Sequence, residues 1–203
     1  TVSGTDADTG TALAGTALAD LACLPSIGTV AGTGVGGYNG DGGMAVAAQL
    51  QNPYGVAVNV AGTLFIADKD NQRIRRVDAA TGAITTVAGI GTAGYSGDAL
   101  AATGAELNDP WNVVFNGQGT YMYIADFSNH RVRRVYQPTQ MIGTWAGNGS
   151  PGSSGDGGPA TAAELAHPYA LASDFQVNVY IADYDNHRVR RVDSVSGLIT
   201  TVA

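Results

Sequence analysis

The residues that could form a catalytic or metal site are few, and most of them occupy repeated positions in the chain. His130 and His187 each follow an Asn in two copies of one motif, which favours a hydrogen bond within the local turn over a shared metal. His167 has no counterpart in the other copies, and a zinc site needs three or four ligands. We therefore predict no catalytic residue, no metal site and no cofactor.

Three acidic residues lie in glycine-rich segments, where a calcium site would be one interpretation. Asp41, Asp98 and Asp156 lack the alternating acidic spacing of an EF-hand loop. Asp side chains often accept hydrogen bonds from neighbouring backbone N–H groups in turns. We therefore predict a turn-capping role for all three.

Aromatic residues recur at two positions and supply the best candidates for a binding surface. An aromatic residue follows the proline in each copy, and aromatic residues also occupy one turn of the second and third copies. Two interpretations remain open, namely that these rings cover the ends of inner strands or that they form a shallow site for a sugar or a peptide. The candidate contacts for a ligand or partner are Tyr54, Trp111, Tyr169, His167, Phe127 and Tyr184.

The positions repeat because the whole chain does, with a period of roughly 57 residues. Thr29–Gly32 returns as Thr86–Gly89 and Thr144–Gly147, and its start recurs at Thr201. Between these marks run an apolar segment ending in Ile-Ala-Asp and an Arg-rich segment ending in Val. A residue present in every copy is more readily explained by its role in the repeat than by chemistry that occurs once.

Each copy predicts four short antiparallel strands joined by tight turns. The first copy reads as strands over 56–60, 63–67, 73–77 and 84–87, separated by Gly-, Asp- and Asn-containing turns. Such a unit is one blade of a β-propeller, so the predicted fold class is all-β. The predicted blades are residues 52–89, 109–147 and 167–203, within a propeller segment over 27–203.

The residues before this segment fit the repeat poorly. Residues 1–26 are predicted to be a Thr/Ala/Gly-rich extension or a degenerate repeat, and Cys23 is the single cysteine of the chain. Residues 28–31 are predicted to form an outer strand without a blade of its own.

The combination of motifs resembles the NHL-repeat family of β-propellers. The resemblance rests on Gly155–Leu165, on Tyr180–Val192 with its Asn186-His187-Arg188, and on Ile84–Gly89, and it covers about residues 27–203. Propellers hold about four to eight blades, and the resemblance implies a ring that is often six-bladed. It also implies an alternative, that this chain is a fragment of a larger propeller enzyme, because some similar proteins are lyases or lactonases with a metal in the central channel. A further alternative is a ligand-binding propeller.

Charge argues against nucleic acid as a partner. The net charge is −7, and all nine arginines lie in the three Arg-rich strands, whereas a phosphate-binding surface needs clustered positive charge. Acidic residues near those strands predict ion pairs between blades. No segment is long and apolar enough to predict a membrane span.

Three blades alone leave two open edges, which predicts pairing with another chain. We expect a non-enzymatic extracellular or cell-surface module that contacts a protein partner, a carbohydrate or another copy of itself. A glycosylated building block of an appendage or filament fits this expectation, and Asn148-Gly149-Ser150 is a candidate glycosylation site at Asn148.

Overall fold

The computed structural model describes residues 27–203, which form three antiparallel sheets. Two sheets have four strands in chain order, and the middle sheet has a fifth, two-residue strand at its outer edge. The strands are β1 (Pro53–Val58), β2 (Leu64–Asp68), β3 (Arg73–Val77), β4 (Ile84–Ala88), β5 (Leu100–Ala101), β6 (Pro110–Phe115), β7 (Tyr121–Asp126), β8 (Arg131–Tyr136), β9 (Met141–Ala146), β10 (Pro168–Ser173), β11 (Val179–Asp183), β12 (Arg188–Val192) and β13 (Ile199–Thr201). The prediction of an all-β propeller segment with three four-stranded blades is confirmed.

The turn between the second and third strands of each blade is built in the same way three times. It forms one turn of 3-10 helix, at Lys69–Asn71 in the first blade, and ends at a residue in the left-handed conformation. That residue is Gln72, His130 or His187, with φ between 53° and 55°. The equal geometry explains how Gln can replace His at this position.

The hydrophobic cores lie between successive blades. Alternate side chains of a strand point to opposite faces of its sheet, so each blade contributes one apolar face to each neighbour. The first core joins Phe65, Ile74 and Ala88 of the first blade to Leu107 and Val113 of the second. An equivalent core joins the second blade to the third. The first strands of the blades, β1, β6 and β10, lie side by side and are therefore the inner strands.

The Ala-rich connections between blades contain short 3-10 turns. These turns cover Ala45–Ala47, Ala102–Gly104 and Ala160–Ala162. Each connection packs on the outer strands of the blade that follows it, where the N–H of Gly42 donates to the carbonyl of Ile84.

No strand is assigned over residues 28–31, where an outer strand without a blade of its own was predicted. The predictions for residues 1–26 and Cys23 lie outside the described residues. Within residues 27–203, no helix is long and apolar enough to cross a membrane.

Candidate interaction surfaces

The Arg-rich motif builds a buried ion-pair cluster inside each repeat. Arg133 has no solvent exposure, and its guanidinium contacts Asp126 at 3.3 Å and Asp98 at 2.6 Å. It also donates to the backbone carbonyls of Ser96 and Glu106. Arg75 and Arg190 form the same cluster in the other repeats.

These clusters correct two of our predictions. The Arg-rich strands do not pair with acids of a neighbouring blade, because Arg133 binds its own blade and the connection packed against it. Asp98 does not cap a local turn but accepts the N–H of Thr144, far along the chain in β9. The acidic residues of the connections therefore fasten each connection to the outer strands of its blade.

The repeated Asp of the Ile-Ala-Asp segment organises the central face. Asp126 is fully buried and accepts hydrogen bonds from the N–H of Asn108 and the side chain of Asn129. Burial raises the pKa of Asp126 to about 6, and the hydrogen bonds and Arg133 oppose that rise. Asn129 also donates to the carbonyl of Gly94, so the turn and the connection share one face.

This frame brings all six candidate contact residues onto one surface, which we call the aromatic face. Trp111 lies at its centre, with ring centroids 4.0 Å from Tyr54, 4.6 Å from Tyr169 and 4.7 Å from Phe127. The remaining two members lie at its rim, where His167 stacks on Phe127 and Tyr184 stacks on Tyr169. Tyr54 and Tyr184 are about half exposed, at 50% and 58%.

Charged groups surround the aromatic face. The Lys69 ammonium lies 5.4 Å from the centre of the Trp111 ring, within cation–π range. It also contacts Asp70 at 2.7 Å and Asp109 at 3.6 Å. The ring of His167 pairs with Asp185 through Nδ1. Tyr54, Trp111 and Tyr169 lie at the starts of the inner strands, where their rings pack together, and the rim of this surface is exposed.

A second surface feature was missed by the sequence reasoning. Nδ1 of His130 accepts the N–H of His167 at 3.2 Å, and Oε1 of Gln72 accepts the N–H of Asp109 at 2.7 Å. The prediction that His130 bonds its own turn was wrong, because its ring reaches the next blade. The alternation of Gln with His at one repeated position was the available signal, since both side chains present an acceptor there. We call this contact the blade latch.

The latch between the second and third blades is expected to respond to pH. Burial, and then the nearby His167, lower the pKa of His130, with Arg131 adding to this effect and Asp185 and Asp183 opposing it. A histidine whose pKa falls on folding stabilises the fold above its unfolded pKa near 6.5, and that contribution is lost as pH falls toward the folded pKa.

His130→Gln should therefore make the unfolding free energy less dependent on pH at acidic pH. The difference in unfolding free energy between wild type and variant should decrease as the pH falls below the unfolded pKa near 6.5. Urea unfolding at successive pH values measures it. Gln72 shows that a glutamine fits the latch. Parallel curves for the two proteins would rule out titration at His130.

The candidate glycosylation site is exposed but engaged. Oδ1 of Asn148 accepts the N–H of Ser150, and Nδ2 donates to the carbonyl of Ala162 at 3.2 Å. Attachment of a sugar at Nδ2 therefore requires loss of the contact with Ala162. Among residues 27–203, no cluster of three His, Cys, Asp or Glu side chains that could hold a metal is found.

Stacked four-stranded blades with inner strands side by side define a segment of a β-propeller. The family profile of the Teneurin NHL domain matches residues 22–94. The chain is 30% identical over 155 residues to Protein SUPPRESSOR OF QUENCHING 1, chloroplastic, of Arabidopsis thaliana, which covers 74% of this chain and 14% of that protein. It is 31% identical over 101 residues to human NHL repeat-containing protein 2, covering 49% of this chain and 14% of that protein. These matches identify the repeats of this chain as NHL repeats.

A solved structure has the same fold. An auxiliary nutrient binding protein from Bacteroides ovatus superposes with a TM-score of 0.57 at 21% identity, over 77% of this chain and 37% of that one. The chain thus spans about a seventh of the length of these two relatives and about a third of this structure.

Proposed function

We propose that this chain is a non-enzymatic interaction module that acts through the open faces of its first and third blades. The observation that carries the proposal is the exposure of Val56 on β1. Val56 is 61% exposed, whereas the equivalent Val113 and Leu171 are 0% and 8% exposed because a preceding blade covers them. Val58 on the same face is exposed as well.

The exposed face has the composition of a blade-to-blade core. Covering an apolar side chain of this size contributes about 1.5–3 kcal/mol, and a contiguous exposed apolar patch marks an interaction site. The exposed feature is thus a side-chain face of the sheet, whereas the sequence predicted pairing through open edges. We propose that the occupant is a second copy of this chain, which would produce a closed ring or a filament. An extracellular or cell-surface location fits the exposed sequon at Asn148 and a structural role as a glycosylated building block.

Val56→Lys should abolish this association, because a charged side chain cannot be buried in an apolar interface without a partner. Sedimentation velocity should show the wild type as an oligomer and the variant near 20.6 kDa. Val195→Lys is the matched control, since Val195 is exposed in the turn before β13, outside the open faces. Equal sedimentation of the wild type and Val56→Lys would contradict the proposal.

The aromatic face supports a second candidate function, the binding of a sugar or a peptide. Exposed rings with carboxylates at their rim suit both ligands, through stacking and through hydrogen bonds. Trp111→Ala should remove such binding, measured by titration calorimetry against oligosaccharides and basic peptides, while Tyr136→Ala at the far end of β8 should preserve it. Turnover with a bound metal would instead support the alternative of a propeller enzyme.

A further inference from the structure

The uncovered sheet faces of the first and third blades carry different residues. These residues correspond to the two sides of a contact between neighbouring blades. On the first blade, Val56 is exposed, whereas Ile66 and Val77 are already buried in a cluster with Ala45 and Ala48 of the connection. The three residues are the counterparts of Val113, Ile124 and Val135 in the first core. The face of the third blade contains Tyr180 and Val189, the counterparts of Tyr123 and Val132 in the second core. The third blade therefore presents the side that a preceding blade contributes to a blade-to-blade core, and the first blade presents the side that a following blade contributes.

The third blade contains the equivalent residue, His187, but among the described residues its side chain forms no blade latch. His187 has the same left-handed conformation as Gln72 and His130 but is exposed, whereas those two are half-buried. No hydrogen bond of its ring is found within residues 27–203. His187 occupies the position from which the side chains of Gln72 and His130 accept a backbone N–H.

The first blade holds the matching donor. Asn52 has φ 47°, close to the φ values of 51° and 53° at Asp109 and His167, whose N–H groups donate to the two formed latches. Asn52 is exposed, and no hydrogen bond from its N–H is found within residues 27–203. The donor and the acceptor thus lie on opposite open faces.

A pocket beside His187 has the position of a core side chain. It has a volume of about 340 Å³ and is lined by His187, Val189 and Ala203, among others. In the second core, Leu165 packs with Val132 and Ala146, the counterparts of Val189 and Ala203. Leu50 is the counterpart of Leu165 and is only partly buried.

We propose, building on the proposed function, that copies associate head to tail, with the third blade of one copy against the first blade of the next. His187 Nδ1 accepts the N–H of Asn52, and Leu50 enters the pocket beside Val189. Ala31 packs in the Leu50 cluster, where Ala203 of the neighbouring copy would lie. Formation of the junction therefore displaces Ala31. This contact is heterologous, so it generates a ring or a filament and no symmetric face-to-face dimer.

Mixing two edge variants tests this geometry. Val56→Lys blocks the face of the first blade, and Val189→Lys blocks the face of the third. Each variant alone should sediment as a monomer, and an equimolar mixture should form a one-to-one dimer that grows no further. Circular dichroism and thermal unfolding of each variant verify that it is folded.

The outcomes separate the failure of this inference from the failure of the proposed function. A wild type that stays monomeric overturns both. If the wild type associates but one variant alone forms a dimer, a like face pairs with itself, and only the head-to-tail inference is overturned.

Substitution of His187 provides the readout of the latch itself. His187→Ala should weaken wild-type association about threefold to tenfold, the effect of one lost hydrogen bond. His187→Gln should restore it to within about twofold, since Gln72 forms the same contact. Equal affinities for His187→Ala and wild type would overturn the latch.

Discussion

Arg133→Gln should destabilise the fold by about 3–5 kcal/mol, the largest effect of any single side-chain change that we expect. The guanidinium is fully buried and binds Asp126, which is also fully buried, together with Asp98. Glutamine would leave the Asp126 carboxylate in the interior without its charged partner. Urea unfolding at pH 7 measures the loss.

A surface pair of the same chemistry is the control. Arg191 pairs with Asp193 at 3.1 Å, and both side chains are about one third exposed. Exposed pairs typically contribute about 0–1 kcal/mol, so Arg191→Gln should cost less than about 1 kcal/mol. Similar losses for Arg133→Gln and Arg191→Gln would mean that the buried cluster does not hold the blade.

Gly89→Ala should cost more than about 3 kcal/mol, for two separable reasons. Gly89 has φ +90°, where an alanine is strained by about 1–2 kcal/mol. In addition, a Cβ there would overlap the carbonyl oxygen of Gln72, which is backbone and cannot rotate away. Overpacking of this kind typically adds about 1–3 kcal/mol. The close approach is needed because Gly89 follows β4 directly, beside the blade latch.

Gly42→Ala isolates the first of these reasons. Gly42 has φ +85°, but an added Cβ would meet nothing within 4 Å. Its cost in thermal or urea unfolding should therefore be about 1–2 kcal/mol. If Gly42→Ala were as damaging as Gly89→Ala, the close packing at Gly89 would not be the cause.

The fold was predictable because the repeat fixes the unit and its boundaries. Turn residues such as Asn71 and Gly62 separate apolar runs of strand length, and three equal copies exclude an accidental pattern. The aromatic face followed from strand direction, since the residue after Pro110 and the turn at Phe127 must lie at the same end of a blade. The rings of Trp111 and Phe127 stack there, with their centroids 4.7 Å apart.

The partners of the charged residues were not predictable in the same way. Acids near the Arg-rich strands led us to predict ion pairs between blades, whereas Arg133 pairs with Asp126 of its own blade and with Asp98, 35 positions earlier in the connection. The direction of a long side chain in a packed interior depends on where the connection lies, and the repeat pattern contains no information on that. The blade latch was missed for the same reason, because His130 contacts a backbone group of the next blade.

The native mass of the 203-residue chain tests the central claim most directly. The claim is that the open faces of the first and third blades pair between copies. Sedimentation equilibrium over a range of concentrations should give a mass of at least twice 20.6 kDa that decreases on dilution. A folded chain that stays at 20.6 kDa at every concentration would contradict the claim.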